Sequence, residues 1–344
     1  MRPAAISLFA LVGSSRAGLI RMGCSQLNIQ RIDPLVAPGM APSSHIHQLI
    51  GGDSLNITMD PASHDLPSLS TCTSCQAADD FSNYWTAVLY FKARNGTYHR
   101  VSQLAPQGFE GQNGGMTVYY MTGQLADTTQ ANTINATAFK PGFRMFVGDI
   151  NARTLQQALP YRQLTYTCLE DMSTRWPETK DFPKKPCPAG IMANVRFPTC
   201  WDNVNLDSPN HMDHVSYPES GTFESQGPCP SSHPVRLPQL MYEVIFDTKP
   251  FNDPADWPED PESQPFVWSF SDTTGYGTHG DYVFGWKGDA LQKIIDEPCY
   301  VNCKTMRTQG IEQMNACTLK PQVVEDIDGW VKEIPGQNMD MQSY

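Results

Sequence analysis

Histidine is scarce in this chain, 8 among 344 residues, yet five of the eight fall in three short clusters. The first is Ser44-His45-Ile46-His47-Gln48, followed by Gly51-Gly52-Asp53. Residues two apart on a strand share a face, so His45 and His47 can present their imidazoles side by side. The second is Asn210-His211-Met212-Asp213-His214. In the third, Gly275 to Tyr282, glycines at 275, 277 and 280 let the backbone bend sharply around His279 and Asp281.

Two chemistries suit such clusters. Imidazole is the commonest protein ligand for copper and zinc, and H-x-H with a distant H-x-x-H (His45, His47, His211, His214) supplies enough nitrogens for a transition-metal site. Alternatively His45, His47, His211 and His279 with Asp213 and Asp281 form acid/base pairs, the carboxylate fixing a tautomer while the other ring nitrogen moves a proton at a substrate. Any single histidine reads better as a polar-loop hydrogen-bonding group; their clustering favours function for the set. Carboxylates are the next resource. Glu243 sits at an alternating position of a strand-like run, Asp272 and Asp281 flank the glycine-rich loop, and Asp202 and Asp207 precede the second cluster. Glycoside cleavage needs two carboxyls on opposite sides of the bond, one kept protonated by burial. Among the aromatics, Trp201 and Tyr276 lie between polar and glycine residues and suit stacking on sugar rings, whereas Trp85 and Trp286 have apolar neighbours and suit a core. No nucleophile elbow, Walker loop or dinucleotide fingerprint occurs, so nucleotide cofactors are not expected.

These residues must be positioned by strands. Tyr84–Phe91, Met116–Met121, Phe143–Val147, Met241–Phe246 and Tyr282–Trp286 are rich in β-branched and aromatic residues and separated by Gly, Pro, Asn and Asp clusters. Helical spacing is confined to Leu155–Leu159 and Asp289–Asp296. The pattern predicts a mainly β fold, a β-sandwich or jelly-roll-like single domain with long disulfide-pinned loops and few short helices. Trp176–Pro188 reads as a linker or a loop, and the acidic, Pro-rich Asp247–Gln264 as a surface excursion.

Charge and leader set the compartment. With 24 basic and 36 acidic residues the formal charge is −12, and no basic run is present to neutralise phosphates, so nucleic acid is not an expected partner. Residues 1–17 combine Arg2, the apolar run Ala4–Val12 and small residues at Ser14, Ser15 and Ala17, the make-up of a secretory signal peptide. Its removal takes Arg2 and Arg16 and moves the charge from −12 to −14. The expected product is one secreted domain, residues 18–344, with no stretch of ~20 apolar residues to span a membrane. All 10 cysteines lie beyond residue 17, so disulfides are the default, including at Cys72-Thr-Ser-Cys75, whose spacing otherwise suggests redox or zinc chemistry. Asn56, Asn95 and Asn135 head glycosylation sequons.

The clusters also carry a likeness. Arg31-Ile32-Asp33-Pro34-Leu35-Val36, Ser44-His45-Ile46-His47, Cys72-Thr-Ser-Cys75 leading to Ser82-Asn83-Tyr84-Trp85, Arg196-Phe197-Pro198 through Cys200-Trp201-Asp202, His211-Met212-Asp213-His214, Cys229-Pro230 to His233-Pro234-Val235, and Gly275-Tyr276-Gly277 to His279-Gly280-Asp281 occur in that order. Over about residues 21–303 the chain resembles a fungal secreted family of unknown function whose members sometimes carry cell-wall-associated WSC domains. The resemblance implies a secreted, fungal setting and supplies no mechanism. Asp53 stands where the family's commoner forms suggest Asn, and no WSC module follows. The short run Tyr90-Phe91-Lys92-Ala93 with Gly96, Tyr98 and His47-Gln48 is similar to a strand of jelly-roll alginate lyases, which keeps elimination among the options.

Together these readings lead to an expected monomeric, secreted carbohydrate-active enzyme. It would cleave a cell-wall or biomass polysaccharide by hydrolysis or elimination in a cleft lined by His45, His47, His211, Asp213, His279 and Asp281, with Trp201, Tyr276 and Glu243 binding substrate. The competing expectation is a non-catalytic protein that captures copper or zinc, or binds cell-wall glycan. The acid balance favours neutral glycans, unless a local patch including Lys92, Arg94 or Arg236 overrides it.

Overall fold

The computed structural model describes residues 18–122, 136–224, 227–297, 299 and 301–337; the leader of residues 1–17 and the sequon at Asn135 lie outside them. Strands dominate and are joined by long loops, with a few short helices. Six strands make one antiparallel sheet in the order Leu19–Cys24, Met116–Met121, Gln239–Phe246, Ile191–Arg196, Leu164–Cys168, Glu178–Thr179. Five make a second, in the order Gln26–Gln30, His47–Gly51, Asn83–Ala87, His279–Val283, Arg144–Gly148. Smaller sheets of four and three strands flank them.

Period-two alternation explains how the two large sheets pack. From the six-stranded sheet Val118, Tyr120, Ala193, Val195, Leu240, Tyr242 and Val244 enter one core, and from the five-stranded sheet Ile50, Tyr84, Met145, Val147 and Tyr282 meet them. The contact is direct: the Tyr120 hydroxyl lies 2.8 Å from that of Tyr84 and 3.0 Å from that of Tyr282. This is a β-sandwich with buried tyrosine hydroxyls at its centre. Asp80, fully buried, accepts hydrogen bonds from the Ser82 amide and the Tyr84 hydroxyl.

The other face of the five-stranded sheet carries the opposite alternation. Leu49, Trp85, Phe146 and Val283 point outward and are covered by Ile32 and Leu35 from the segment before the strand His47–Gly51 and by Leu55, Met59 and Leu66 from the segment after it. His47, His279 and Asp281 share that face. A layer of loop therefore seals the side of the sandwich on which the first and third histidine clusters lie.

Most expected elements appear close to their predicted bounds. Two differ: the expected strand Tyr282–Trp286 lies earlier, at His279–Val283, and the run Tyr84–Phe91 divides into Asn83–Ala87 and Leu89–Lys92, which belong to different sheets. Val88 turns between them, its amide bonding to the Ile46 carbonyl. Trp176–Pro188 is a loop within the body, since Glu178–Thr179 pairs with Leu164–Cys168 and Cys187 bonds to Cys168. Asp247–Gln264 is anchored by buried Phe251 and Trp257. Five disulfides join Cys24–Cys75, Cys72–Cys317, Cys168–Cys187, Cys200–Cys229 and Cys299–Cys303. Cys72 and Cys75 thus bond to different partners and form neither a redox pair nor a zinc pair.

Candidate metal centre

Register brings the first and third histidine clusters together. His47 pairs with Ala87, and Asp281 pairs with Trp85 two residues earlier on the same strand, so His47, Ala87 and His279 fall in one row of the sheet. Ala87 is small, which leaves room for imidazoles to lean towards each other above it. On the far side His279 faces Gly148, where a Cβ would lie 2.9 Å from that of His279. His45, two residues before His47, bends inward from the sheet edge. Its ring centre lies 4.2 Å from that of His47 and 5.1 Å from that of His279.

Each ring is held by its second nitrogen. His47 Nδ1 lies 3.0 Å from the Ile32 carbonyl oxygen and His279 Nδ1 lies 3.0 Å from the Gly277 carbonyl oxygen. A carbonyl only accepts, so both Nδ1 atoms must carry the proton and both Nε2 atoms must present a bare lone pair. His45 Nδ1 lies 2.9 Å from Ser44 Oγ, which can give or take a proton. The Nε2 atoms of His45 and His279 are 3.1 Å apart, and His47 Nε2 is buried without a hydrogen-bond partner. Among the described residues these three are the set whose donor atoms all lie within 4.8 Å of one another. Two nitrogens bound tetrahedrally to one zinc would be about 3.3 Å apart, given zinc–nitrogen bonds of ~2.0–2.1 Å.

The supporting turns are themselves braced. Asp33 Oδ1 accepts from the amides of Leu35 and Val36, which fixes the turn after Ile32. Asp272, fully buried, accepts from the Thr274 amide and hydroxyl and from the Gly277 amide, which shapes the glycine-rich turn before His279. At Gly277 a Cβ would meet Phe270 at 2.7 Å, so that turn closes only around glycine.

Burial sets the electrostatics. Desolvation pulls His47 and His279 down to about 4, neighbouring His47 adding to the effect at His279, and it holds His45 well below the ordinary imidazole range with His47, His279 and Arg31 contributing. All three rings are therefore neutral at neutral pH, the state that binds metal. Desolvation also pushes Asp281 well above the carboxylate range and raises Asp33, the Asp33 charge adding to the effect at Asp281. Neither oxygen of Asp281 has a hydrogen-bond partner. Phe146 stacks on His279 at 5.6 Å, and Phe270 lies 5.2 Å from His45 and 5.0 Å from His279.

The remaining expected site residues lie apart. His214 is occupied on both nitrogens, by Ser208 Oγ at 2.9 Å and the Arg144 carbonyl at 2.8 Å, so the His45, His47, His211, His214 ligand set is replaced by His45, His47 and His279. His211 is half-buried and bonds through Nδ1 to Asp207 at 2.6 Å, while Asp213 is exposed and accepts from Asn210. Trp201 is buried at 2% exposure, with Nε1 donating to the Asn205 carbonyl, and offers no open face to a sugar. Glu243 is buried on the six-stranded sheet and accepts from the Tyr119 hydroxyl at 2.6 Å. Tyr276 lines a separate groove of about 720 Å³ with Lys92, Arg94 and Lys184. The expected cleft uniting these groups is not formed. The histidines are 3%, 0% and 3% exposed, and the cavity that His45 and His279 border, about 10 Å³, is too small for a sugar ring.

Asp33, Ser44, Phe146 and Phe270 complete the surroundings of the centre. Asp33 lies within a motif visible in the sequence and its bonds to the Leu35 and Val36 amides are local, but the approach of that turn to His47 depends on tertiary placement. The two phenylalanines carry no local signal that separates them from other core residues.

A two-layer β-sandwich with a sealed three-histidine centre on its outer face defines the class of protein. The chain belongs to the family described as a domain of unknown function (DUF1996), whose model matches residues 33–286 and so encloses all three histidines and Asp281. No curated protein and no solved structure matches it.

Proposed function

We propose that the protein binds one divalent transition metal, zinc or copper, through the Nε2 atoms of His45, His47 and His279. The observation that carries this reading is the buried, unpartnered lone pair on His47 Nε2, fixed by the Ile32 carbonyl on the opposite ring nitrogen and set beside the Nε2 atoms of His45 and His279, whose only partner is each other at 3.1 Å. Without a cation, such a lone pair has lost water and gained nothing, a cost of about 1–3 kcal/mol for a buried unsatisfied group. A metal supplies the missing partner, and a donor set made only of nitrogen suits zinc and copper better than magnesium or calcium. The carbonyls at Ile32 and Gly277 orient the rings as outer partners of metal-binding histidines do. Asp33, whose charge acts on His279, is the acidic group placed to offset part of a dication's charge in this buried setting. Five disulfides support export to an oxidising, extracellular environment.

A glycan-binding role is the second reading, supported by the half-buried ring of Tyr276 in the open 720 Å³ groove and independent of the histidines. It would place sugar contact away from the metal.

Metal analysis after dialysis against a weak chelator tests the leading reading. One equivalent of zinc or copper per chain is expected in the wild type, with His47→Ala and His279→Ala each lowering affinity at least a hundredfold and His214→Ala leaving it unchanged. A wild type that takes up no metal, or a His47→Ala variant of unchanged affinity, would refute it.

A further inference from the structure

The cavity beside the histidines limits what else the metal can bind. It is bordered by His45 and His279 but not by His47, so it lies on one side of the triad. Its remaining lining is Asp33, Ser44, Val36, Ala37, Phe146 and Ile150. Its volume, about 10 Å³ for the centre of a water-sized sphere, corresponds to roughly one water molecule. Val36 and Ile150 are the half-buried residues of this lining, while Asp33, Ala37, Ser44, His45, Phe146 and His279 are buried, so approach from solvent passes between two aliphatic side chains.

We infer that the metal held by His45, His47 and His279 keeps one open coordination position on the His45–His279 side, reached past Val36 and Ile150. That position takes only a small inorganic ligand, a single water or hydroxide filling the cavity or a linear ion of about three atoms whose free end extends between Val36 and Ile150. This rests on the metal reading above and deepens it by naming the ligand class: water or hydroxide, or a small linear ion. Three protein nitrogens leave a tetrahedral ion one ligand short, the arrangement that keeps an exchangeable position in metal sites. Packed phenylalanine and aliphatic walls are dense, so the position cannot expand for a larger donor without moving Phe146 or Ile150. A sugar hydroxyl on a glycan chain is excluded from the metal for the same reason.

The full mature chain loaded with cobalt(II), whose visible bands report its coordination, tests this with two probes of different size. Azide is expected to shift the bands of the wild type. Imidazole at the same concentration is expected to leave them unchanged, and Ile150→Ala to raise imidazole affinity at least tenfold. Val36→Ala widens the same approach from the other side and serves if the first variant fails to fold. Imidazole binding to the wild type as tightly as azide, or no response to either ligand, would overturn the inference while the metal reading stands. Failure of the wild type to take up cobalt would instead bring down the metal reading, and this inference with it.

Discussion

At the scale of single residues, the centre depends on which ring nitrogen is free, and that is decided by backbone carbonyls of the preceding turns, Ile32 for His47 and Gly277 for His279. The same logic of burial governs Asp80 inside the sandwich. Desolvation pushes its carboxyl up to about 7 from an ordinary 3.8, against hydrogen bonds from Ser82 and Tyr84 that oppose the shift. The folded state therefore holds this proton more tightly than the unfolded chain. Its contribution to stability is fully present below about pH 4 and is lost as pH rises to 7, a span on the order of 4 kcal/mol. Denaturant unfolding of the wild type and Asp80→Asn at pH 4 and pH 7 checks this. The wild type should lose stability relative to the variant on going to the higher pH, and a difference that stays constant would contradict the assignment. Histidine clustering was legible in the sequence because the residue is rare. What could not be read there was partition: His214 looks as metal-competent as His47 on paper, and only tertiary contacts to Ser208 and Arg144 remove it.

At the scale of elements, the strands carrying His47 and His279 are rigid, while the turns that orient their rings are held by acidic caps. Asp272 takes three hydrogen bonds within the glycine-rich turn, including that from Gly277, whose carbonyl receives the His279 ring proton. Asp272→Ala should lower metal affinity about 10–100-fold, the effect typical of losing an outer-shell partner. The change in affinity should exceed that caused by a variant of equal instability elsewhere, such as Asp80→Ala, when both are titrated with zinc under folding conditions. Equal affinities in the two variants would reduce Asp272 to a purely structural role. Strand-forming segments were legible from alternation, and Met116–Met121 appears with the bounds it was expected to have. The division of Tyr84–Phe91 was not, because every residue of that run favours a strand and the break at Val88 comes from the Ile46 carbonyl across the sheet.

At the scale of the whole molecule, the covering layer and the disulfides act on the same region. Cys72–Cys317 ties the layer near the five-stranded sheet to the C-terminal segment across 245 residues of chain. In the chain-entropy account such a closure is worth about 5 kcal/mol. Paired Cys72→Ala and Cys317→Ala changes should lower the midpoint of thermal unfolding in calorimetry, and an unchanged midpoint would count against that account. Zinc should move the midpoint the other way, stabilising by about 2.7 kcal/mol at a hundred times its dissociation constant. That rise should vanish in His47→Ala. The sandwich was readable from composition and turn spacing, and so was an even set of cysteines. Which face would be sealed was not, since the covering residues Ile32, Leu35, Leu55, Met59 and Leu66 are scattered singly among polar, glycine and proline residues with no strand or helix period.

The distance in sequence between His45 and His279, 234 residues, has a bearing on biosynthesis. During synthesis the growing chain displays His45 and His47 long before His279 emerges, and two imidazoles make a weak, unselective trap. The full donor set comes into being only once the late strand has docked beside the early ones. On the metal reading, occupancy would certify completed folding, and the ion acquired would be one available where maturation ends rather than where translation begins.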